Sequence, residues 1–308
     1  MAGCARRPSW LKISPLDMKA LSPVRQIVNE LDLHTVCESA RCPNRQTCFA
    51  ASTAAFMILG DICTRNCTFC AVQKGEPHPG NVTEPERCVA AVERLGLKHV
   101  VITSVTRDDL PDGGAAHFAR TLQAVHAYSR QITTEVLIPD FGGSAGSLRM
   151  VVEAQPDVLN HNVETVPRLY PEVRPQAVYR RSIELLKLVK SFDTQLLTKS
   201  GVMLGLGESK QEIAAVMSDL RRAGCDFLTI GQYLPPSLGH HELVRYVPPE
   251  EFEDYRALGE EMGFASVVSG PLVRSSFHAA EAYLSTVRSF EGVNDHQGSW
   301  TSAHESIE

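Results

Sequence analysis

Two hydrophobic rhythms take turns along this chain. A solid apolar run, Ala54-Ala55-Phe56-Met57-Ile58-Leu59-Gly60, gives way to helical spacing over 85–95 and then to an apolar strand over 99–102. The alternation continues with a helix over 115–128 and a strand over 133–139, a helix over 147–154 and a strand over 157–160, a helix over 178–192 and a strand over 199–204, and a helix over 210–223 and a strand over 227–232. Apolar strands separated by helices are parallel strands joined by right-handed crossovers. The pattern therefore predicts an α/β fold, a partial (β/α)6 TIM barrel. In such barrels chemistry gathers at the C-terminal strand ends. Polar runs fall there in this chain: a cysteine-rich loop after Gly60, Thr103-Ser104, Asp140, Asn160 to Glu164, and Gln232.

Outside the alternation, Pro8, Pro15 and Pro23 interrupt the apolar pairs of the first thirty residues, which read as an arm laid over the core. Beyond Phe290 the chain is polar and is expected to be disordered. The expected organisation is an arm over 1–50, a barrel core over 51–235, a C-terminal extension over 236–290 and a tail over 291–308. With 308 residues and 43% hydrophobic content, the chain is long enough to bury one full core. A net charge of -6 argues against a nucleic-acid surface, and Arg180-Arg181 and Arg221-Arg222 read as solvated helix faces. No apolar run approaches the ~20 residues of a membrane span, and the N-terminus lacks the pattern of a secretory signal, so a cytoplasmic protein is expected. Gly113-Gly114 and Gly142-Gly143 are turns, because neither belongs to a complete strand-to-helix G-x-G-x-x-G.

The nine cysteines change the picture most. Six fall into two tight triplets: Cys37, Cys42 and Cys48 at C-x4-C-x5-C spacing, and Cys63, Cys67 and Cys70 at C-x3-C-x2-C spacing. Clustering of this kind in an intracellular protein is a metal signature rather than a disulfide framework. Three soft thiolates suit an iron-sulfur cubane that keeps one iron open, whereas structural zinc prefers four closed ligands. For the first triplet an electron-relay cluster or a structural staple remains an alternative. Cys88 and Cys225 read as inert packing residues and Cys4 as part of a loose tail.

The C-x3-C-x2-C loop after a first strand resembles the radical S-adenosylmethionine (SAM) superfamily. The other triplet, Cys37, Cys42 and Cys48, narrows the resemblance to the lipoyl synthase family, together with Arg274-Ser275-Ser276-Phe277-His278-Ala279, which is similar to that family's R-S-S-Y-x-A signature. Further similar stretches are Met57-Ile58-Leu59-Gly60-Asp61, Arg107-Asp108-Asp109-Leu110-Pro111-Asp112-Gly113-Gly114-Ala115, Asn160-His161-Asn162-Val163-Glu164-Thr165, Gly205-Leu206-Gly207-Glu208 and Ile230-Gly231-Gln232-Tyr233-Leu234. The likeness runs from about residue 10 to about 279. This chain departs from the pattern at Phe277 for tyrosine, Thr68 for proline and Ala71 for aspartate; none of these removes a ligand.

The resemblance implies the same partial barrel, with the N- and C-terminal extensions carrying an auxiliary cluster. It implies two 4Fe-4S clusters: one on Cys63, Cys67 and Cys70 that cleaves SAM, and an auxiliary one on Cys37, Cys42 and Cys48 with Ser276 as an oxygen ligand and sulfur source. It further implies insertion of two sulfurs, at C6 and C8 of a protein-bound octanoyl-lysine. The carrier would be a lipoyl domain of a dehydrogenase complex or the glycine-cleavage H protein. Flavodoxin or ferredoxin would supply electrons and an iron-sulfur carrier would rebuild the auxiliary cluster. Asn162 and Glu164, two apart on one strand end, are candidate SAM contacts, with Arg174 for the carboxylate. Sequence chemistry alone assigns Ser275 and Ser276 to a helix N-cap, and only the full signature behind two cysteine triplets reverses that reading. Val105, Leu137, Leu204 and Leu206 are candidates to line an apolar tunnel for the acyl chain, or are ordinary barrel core.

Overall fold

The computed structural model describes residues 7–11, 18–51 and 53–297. Cys4 and residues 298–308 lie outside them. The chain divides into a large unit through Phe277 and a small one from His278.

The large unit is built on one sheet. Its strands are β1 (His34–Thr35), β2 (Ala55–Ile58), β3 (His99–Ser104), β4 (Thr133–Leu137), β5 (Val158–Asn160), β6 (Leu197–Leu204), β7 (Phe227–Gln232) and β8 (Ser266–Gly270), hydrogen-bonded in that order. All neighbours from β2 to β8 are parallel, and β1 pairs antiparallel on the edge beside β2. Helices follow the strands as the spacing predicts: α4 (Glu84–Leu95), α5 (Ala115–Tyr128), α6 (Ala145–Glu153), α8 (Tyr179–Phe192) and α9 (Lys210–Arg222), with a short α7 (Tyr170–Val173) before α8. Local chemistry sets their ends. Ser209 and Glu212 form a reciprocal capping box at the start of α9, and Gly96, with φ 63°, takes the left-handed position that closes α4.

Strand β2 is buried along its whole length, and Ile102, Leu159 and Ile230 contribute no exposed surface. Each such side chain removed from water contributes about 1.5–3 kcal/mol. Below the strand ends, Lys199 Nζ lies 3.0 Å from both carboxylate oxygens of Glu135, and Asn160 donates to the same carboxylate at 3.1 Å. This buried ion pair joins β4, β5 and β6, so a slipped register would leave charges unpaired.

Three stretches carry more regular structure than the pattern alone indicated. The sheet gains a seventh parallel strand, β8, through a helix α10 (Pro249–Glu261) in the stretch read as an extension; β8 pairs with β7 from Ser266 opposite Phe227 to Gly270 opposite Gly231. The proline-interrupted arm holds regular structure. It contains α1 (Met18–Glu30), α2 (Val36–Ser39) and α3 (Arg45–Ala50), and α1 continues through Pro23 because Leu21, Val24 and Val28 form a buried stripe at helical spacing. In the small unit, α11 (Ala279–Gln297) runs through 291–297, the first part of the stretch expected to be disordered. Among the described residues no helix is long and apolar enough to cross a membrane.

Candidate functional site

A cavity of ≈ 620 Å³ opens at the C-terminal ends of the parallel strands. Its wall includes Met57 from β2, Ser104 from β3, Leu137 from β4, Val202 from β6 and Gly231 from β7. Of the expected site residues, Cys37, Cys42, Cys63, Cys67, Cys70, Asn162, Glu164, Arg174 and Ser276 all line it. Cys48, on α3, does not. Val105 and Leu137 line the cavity, whereas Leu204 and Leu206 are buried and do not line it, in keeping with the barrel-core alternative for those two. Cys88 and Cys225 are buried, as packing residues should be.

The second cysteine triplet sits on a loop held at both ends. Strand β2 exits through Leu59, whose backbone has φ 66°. Its N–H donates to the buried Glu84 carboxylate at 2.8 Å, the same carboxylate lies 2.7 Å from His117, and Arg107 donates to the Leu59 carbonyl at 3.4 Å. Two short parallel strands, Ile62–Cys63 and Gln73–Lys74, then close the base of the loop. Between the cysteines, the buried Arg65 donates to Asp108 at 2.7 and 2.9 Å and to Asp140 at 2.5 Å, and Arg181 holds the other oxygen of Asp140 at 3.1 Å. Burial works against the charge of Asp140, but Arg65 outweighs it and holds the carboxyl well below its usual range.

The Cys63 sulfur accepts from two backbone N–H groups, Thr106 at 3.3 Å and Arg65 at 3.5 Å. Burial pushes the Cys70 thiol up to about 12 and raises that of Cys67, with Cys63 adding to both and Arg174 opposing at Cys67. Burial also pushes Cys37 up to about 12, and both Cys42 and Cys48 press in the same direction. Among the described residues no three His, Cys, Asp or Glu side chains converge as a site for one metal ion. Three thiols to a segment, with no histidine among them, suit the soft corners of a cubane, whereas structural zinc closes on four ligands.

The C-terminal motif reaches the same wall. Asn44, between Cys42 and Cys48, donates to the Leu272 carbonyl at 2.6 Å. On the other side Gly231 lets the chain pass, since a Cβ there would lie 2.2 Å from the Val273 carbonyl. Asn162 donates to Ser275 at 2.7 Å and to Glu164 at 3.1 Å, so the strand-end pair and the serine pair are physically joined. Glu164 has φ 64° and is raised by burial against the pull of Arg174. Arg174 donates through one nitrogen to the Asn162 and Val163 carbonyls at 2.9 and 3.2 Å, and its Nε is buried without a partner, as are Asn162 Oδ1 and Ser104 Oγ. Buried polar atoms left open in a cavity wall fit a polar ligand, and the amino and carboxylate ends of SAM are of that kind.

Sequence reading missed the Arg65 bridge, Ser275 as a partner of Asn162, and His161. This histidine is 1% exposed. Its Nδ1 lies 2.9 Å from the Ile138 carbonyl, which only accepts, so Nδ1 donates there and Nε2 accepts from Ser182 at 2.9 Å. Burial lowers it from 6.5 to about 4. The unfolded chain therefore binds this proton first, and stability falls as pH drops from about 6.5 toward 4. Denaturant unfolding of cluster-free protein is expected to lose about 2 kcal/mol between pH 7 and pH 5 from this group, a slope that His161→Gln removes.

Residues 57–220 match the radical SAM superfamily. A lipoyl synthase of Caldanaerobacter subterraneus subsp. tengcongensis is 57% identical over 274 residues, covering 89% of this chain and 96% of that protein. One from Aquifex aeolicus is 53% identical over 271 residues, covering 88% and 98%. Among solved structures, methylornithine synthase (PylB) superposes with a TM-score of 0.52 at 13% identity, covering 84% of this chain and 86% of that one. HydG, a maturase of the FeFe-hydrogenase, gives 0.54 at 13% identity, covering 81% and 66%. These two likenesses carry the fold. Two thiol-bearing segments on one barrel-mouth cavity, together with relatives this similar over nearly their whole length, establish that the chain belongs to the lipoyl synthase family of the radical SAM superfamily.

Proposed function

We propose that this enzyme divides its two cysteine triplets between two tasks: Cys63, Cys67 and Cys70 hold the 4Fe-4S cluster that works with SAM, and Cys37, Cys42 and Cys48 with Ser276 hold an auxiliary 4Fe-4S cluster that donates sulfur to C6 and C8 of a carrier-bound octanoyl-lysine. The observation that carries this reading is that thiols from both triplets, and Ser276, face one cavity. When bound, the clusters and SAM supply radical and sulfur-transfer chemistry that no side chain has.

The chain's own residues bind, orient and shield. Asn162, Glu164 and Arg174 offer an amide, a carboxylate and a guanidinium to the charged end of SAM. Backbone N–H groups of Arg65 and Thr106 are aimed at the Cys63 sulfur, and because burial raises the Cys67 and Cys70 thiols, a cluster bound there would displace their protons. Val105 and Leu137 give the acyl chain an apolar wall. In this reading 1–50 brings the auxiliary thiols, 51–235 holds the SAM side, and the stretch after 235 returns Ser276 to the mouth. The carrier is a lipoyl domain or glycine-cleavage H protein, flavodoxin or ferredoxin delivers electrons, and an iron-sulfur carrier restores the auxiliary cluster.

Anaerobic reconstitution, reduction and incubation with SAM and an octanoylated carrier, followed by mass spectrometry of the modified lysine, tests the proposal. Gain of two sulfurs supports it; formation of 5′-deoxyadenosine without sulfur gain removes the auxiliary role. A narrower outcome concerns Ser275. Ser275→Ala removes the acceptor of the 2.7 Å bond from Asn162 that sets the serine pair against the cavity. Lipoyl formation is expected to fall by about tenfold to a hundredfold, because small misplacements of a reacting partner are costly, while 5′-deoxyadenosine forms within about twofold of wild type. Equal loss of both would show that Ser275 serves only the SAM side.

A further inference from the structure

We propose that the loop over 234–241, with Leu238 at its tip and Arg7 and Arg41 beside it, is the docking surface for the folded carrier domain, and that it selects a carrier whose surface is acidic around the acylated lysine. The inference rests on the octanoyl-carrier reading above and adds the surface and the charge of its partner.

The loop spans the mouth between the two cysteine segments. Arg41, one residue before Cys42, donates to the Pro236 carbonyl at 3.4 Å. At the other end the His241 N–H donates to the Thr68 carbonyl, between Cys67 and Cys70, at 2.9 Å, and the buried Tyr233 donates to the His241 carbonyl at 2.8 Å. Between these anchors Pro235-Pro236 stiffens the chain, and Ser237 closes a turn, its hydroxyl accepting from Gly239 N–H at 3.3 Å and lying 2.8 Å from His240 Nδ1. Leu238 stands at that turn with 98% of its surface exposed. A single exposed leucine is ordinary on a protein surface. This one is different in being held by a fixed turn next to the opening through which a lysine arm must enter. A preorganised apolar contact loses little freedom on binding.

Charge selects the partner. The chain carries 36 acidic and 30 basic residues, yet its cavity wall reverses that balance: Arg7, Arg41, Arg45, Arg65, Arg174 and Arg274 face only Asp140 and Glu164 among the described residues. Arg65 and Arg181 hold Asp140 inside the wall. Arg7 and Arg41 are exposed at the rim. An acidic domain is repelled by the body of the enzyme and attracted to its mouth, which orients the encounter before the acyl arm enters.

The test compares two substrates of the reconstituted holoenzyme: an intact octanoylated carrier domain and a short octanoyl-lysyl peptide. Leu238→Asp, and separately Arg7→Glu, are expected to lower kcat/KM for the intact carrier by about tenfold or more while changing peptide turnover by less than about twofold. Wild-type turnover of the carrier should fall with added salt more steeply than turnover of the peptide. Equal effects on both substrates, or none on the carrier, would overturn the docking surface. Wild-type enzyme that modifies neither substrate would instead overturn the octanoyl-carrier reading itself, and the docking proposal with it.

Discussion

Replacing Cys67 by alanine is expected to abolish formation of 5′-deoxyadenosine and to lower the reconstituted iron content from about eight atoms to about four. The expectation follows from ligand number. Each triplet offers three thiols and no histidine, so the loss of one leaves too few soft ligands to hold a cubane. Burial raises the Cys67 thiol and Arg174 draws it down, with Cys63 and Glu164 adding to the rise. It sits between the loop clamps: Asn66 N–H donates to Gln176 at 2.5 Å on one side, and Thr68 N–H donates to the Val173 carbonyl at 3.0 Å on the other. Alanine at this position keeps those backbone bonds, so the loop should stay folded while the cluster is lost. Iron analysis and chromatography of the nucleoside product read the two effects independently. A variant that retained eight irons and still cleaved SAM would remove Cys67 from the ligand set.

The site was legible in the sequence where its chemistry is local. Three cysteines within eight residues must share a loop, and Asn162 and Glu164, two apart at a strand end, meet in the fold at 3.1 Å. Partnerships across the barrel left no such mark. Arg65 lies between two cysteines, but nothing in the order of residues says that the strand carrying Asp140 ends beside it; that follows only from β4 lying second from β2 in the sheet. Ser275 and Asn162 are likewise separated by 113 residues. The same limit explains the missed strand. Ser266–Gly270 is short and bounded by residues typical of turns, and becomes a strand because β7 offers it a free edge. Its helix, Pro249–Glu261, was hidden because only Phe252, Tyr255 and a few neighbours are buried along an otherwise acidic face. The proline-interrupted arm shows the converse case, where burial of Leu21, Val24 and Val28 outweighs a local helix breaker.

Replacing Cys42 by alanine is the counterpart that separates the two triplets. The variant is expected to keep 5′-deoxyadenosine formation within about tenfold of wild type, to bind about four irons, and to insert no sulfur. Cys42 lines the same cavity as Cys67 but belongs to a different support: its N–H donates to the Cys37 carbonyl at 3.0 Å, and the neighbouring Asn44 ties the segment to Leu272 rather than to the barrel loop. Loss of its thiol therefore leaves Cys63, Cys67 and Cys70 and their clamps untouched. Ser276→Ala should produce a milder form of the same split, with cleavage retained and lipoyl yield reduced, because three thiols remain to hold the auxiliary cluster. If Cys42→Ala and Cys67→Ala lost cleavage to the same extent, the triplets would form one functional unit, and the separation argued from their independent supports would fail. If Cys42→Ala inserted sulfur normally, the first triplet would be a staple for the arm, and the sulfur would have to come from outside the chain.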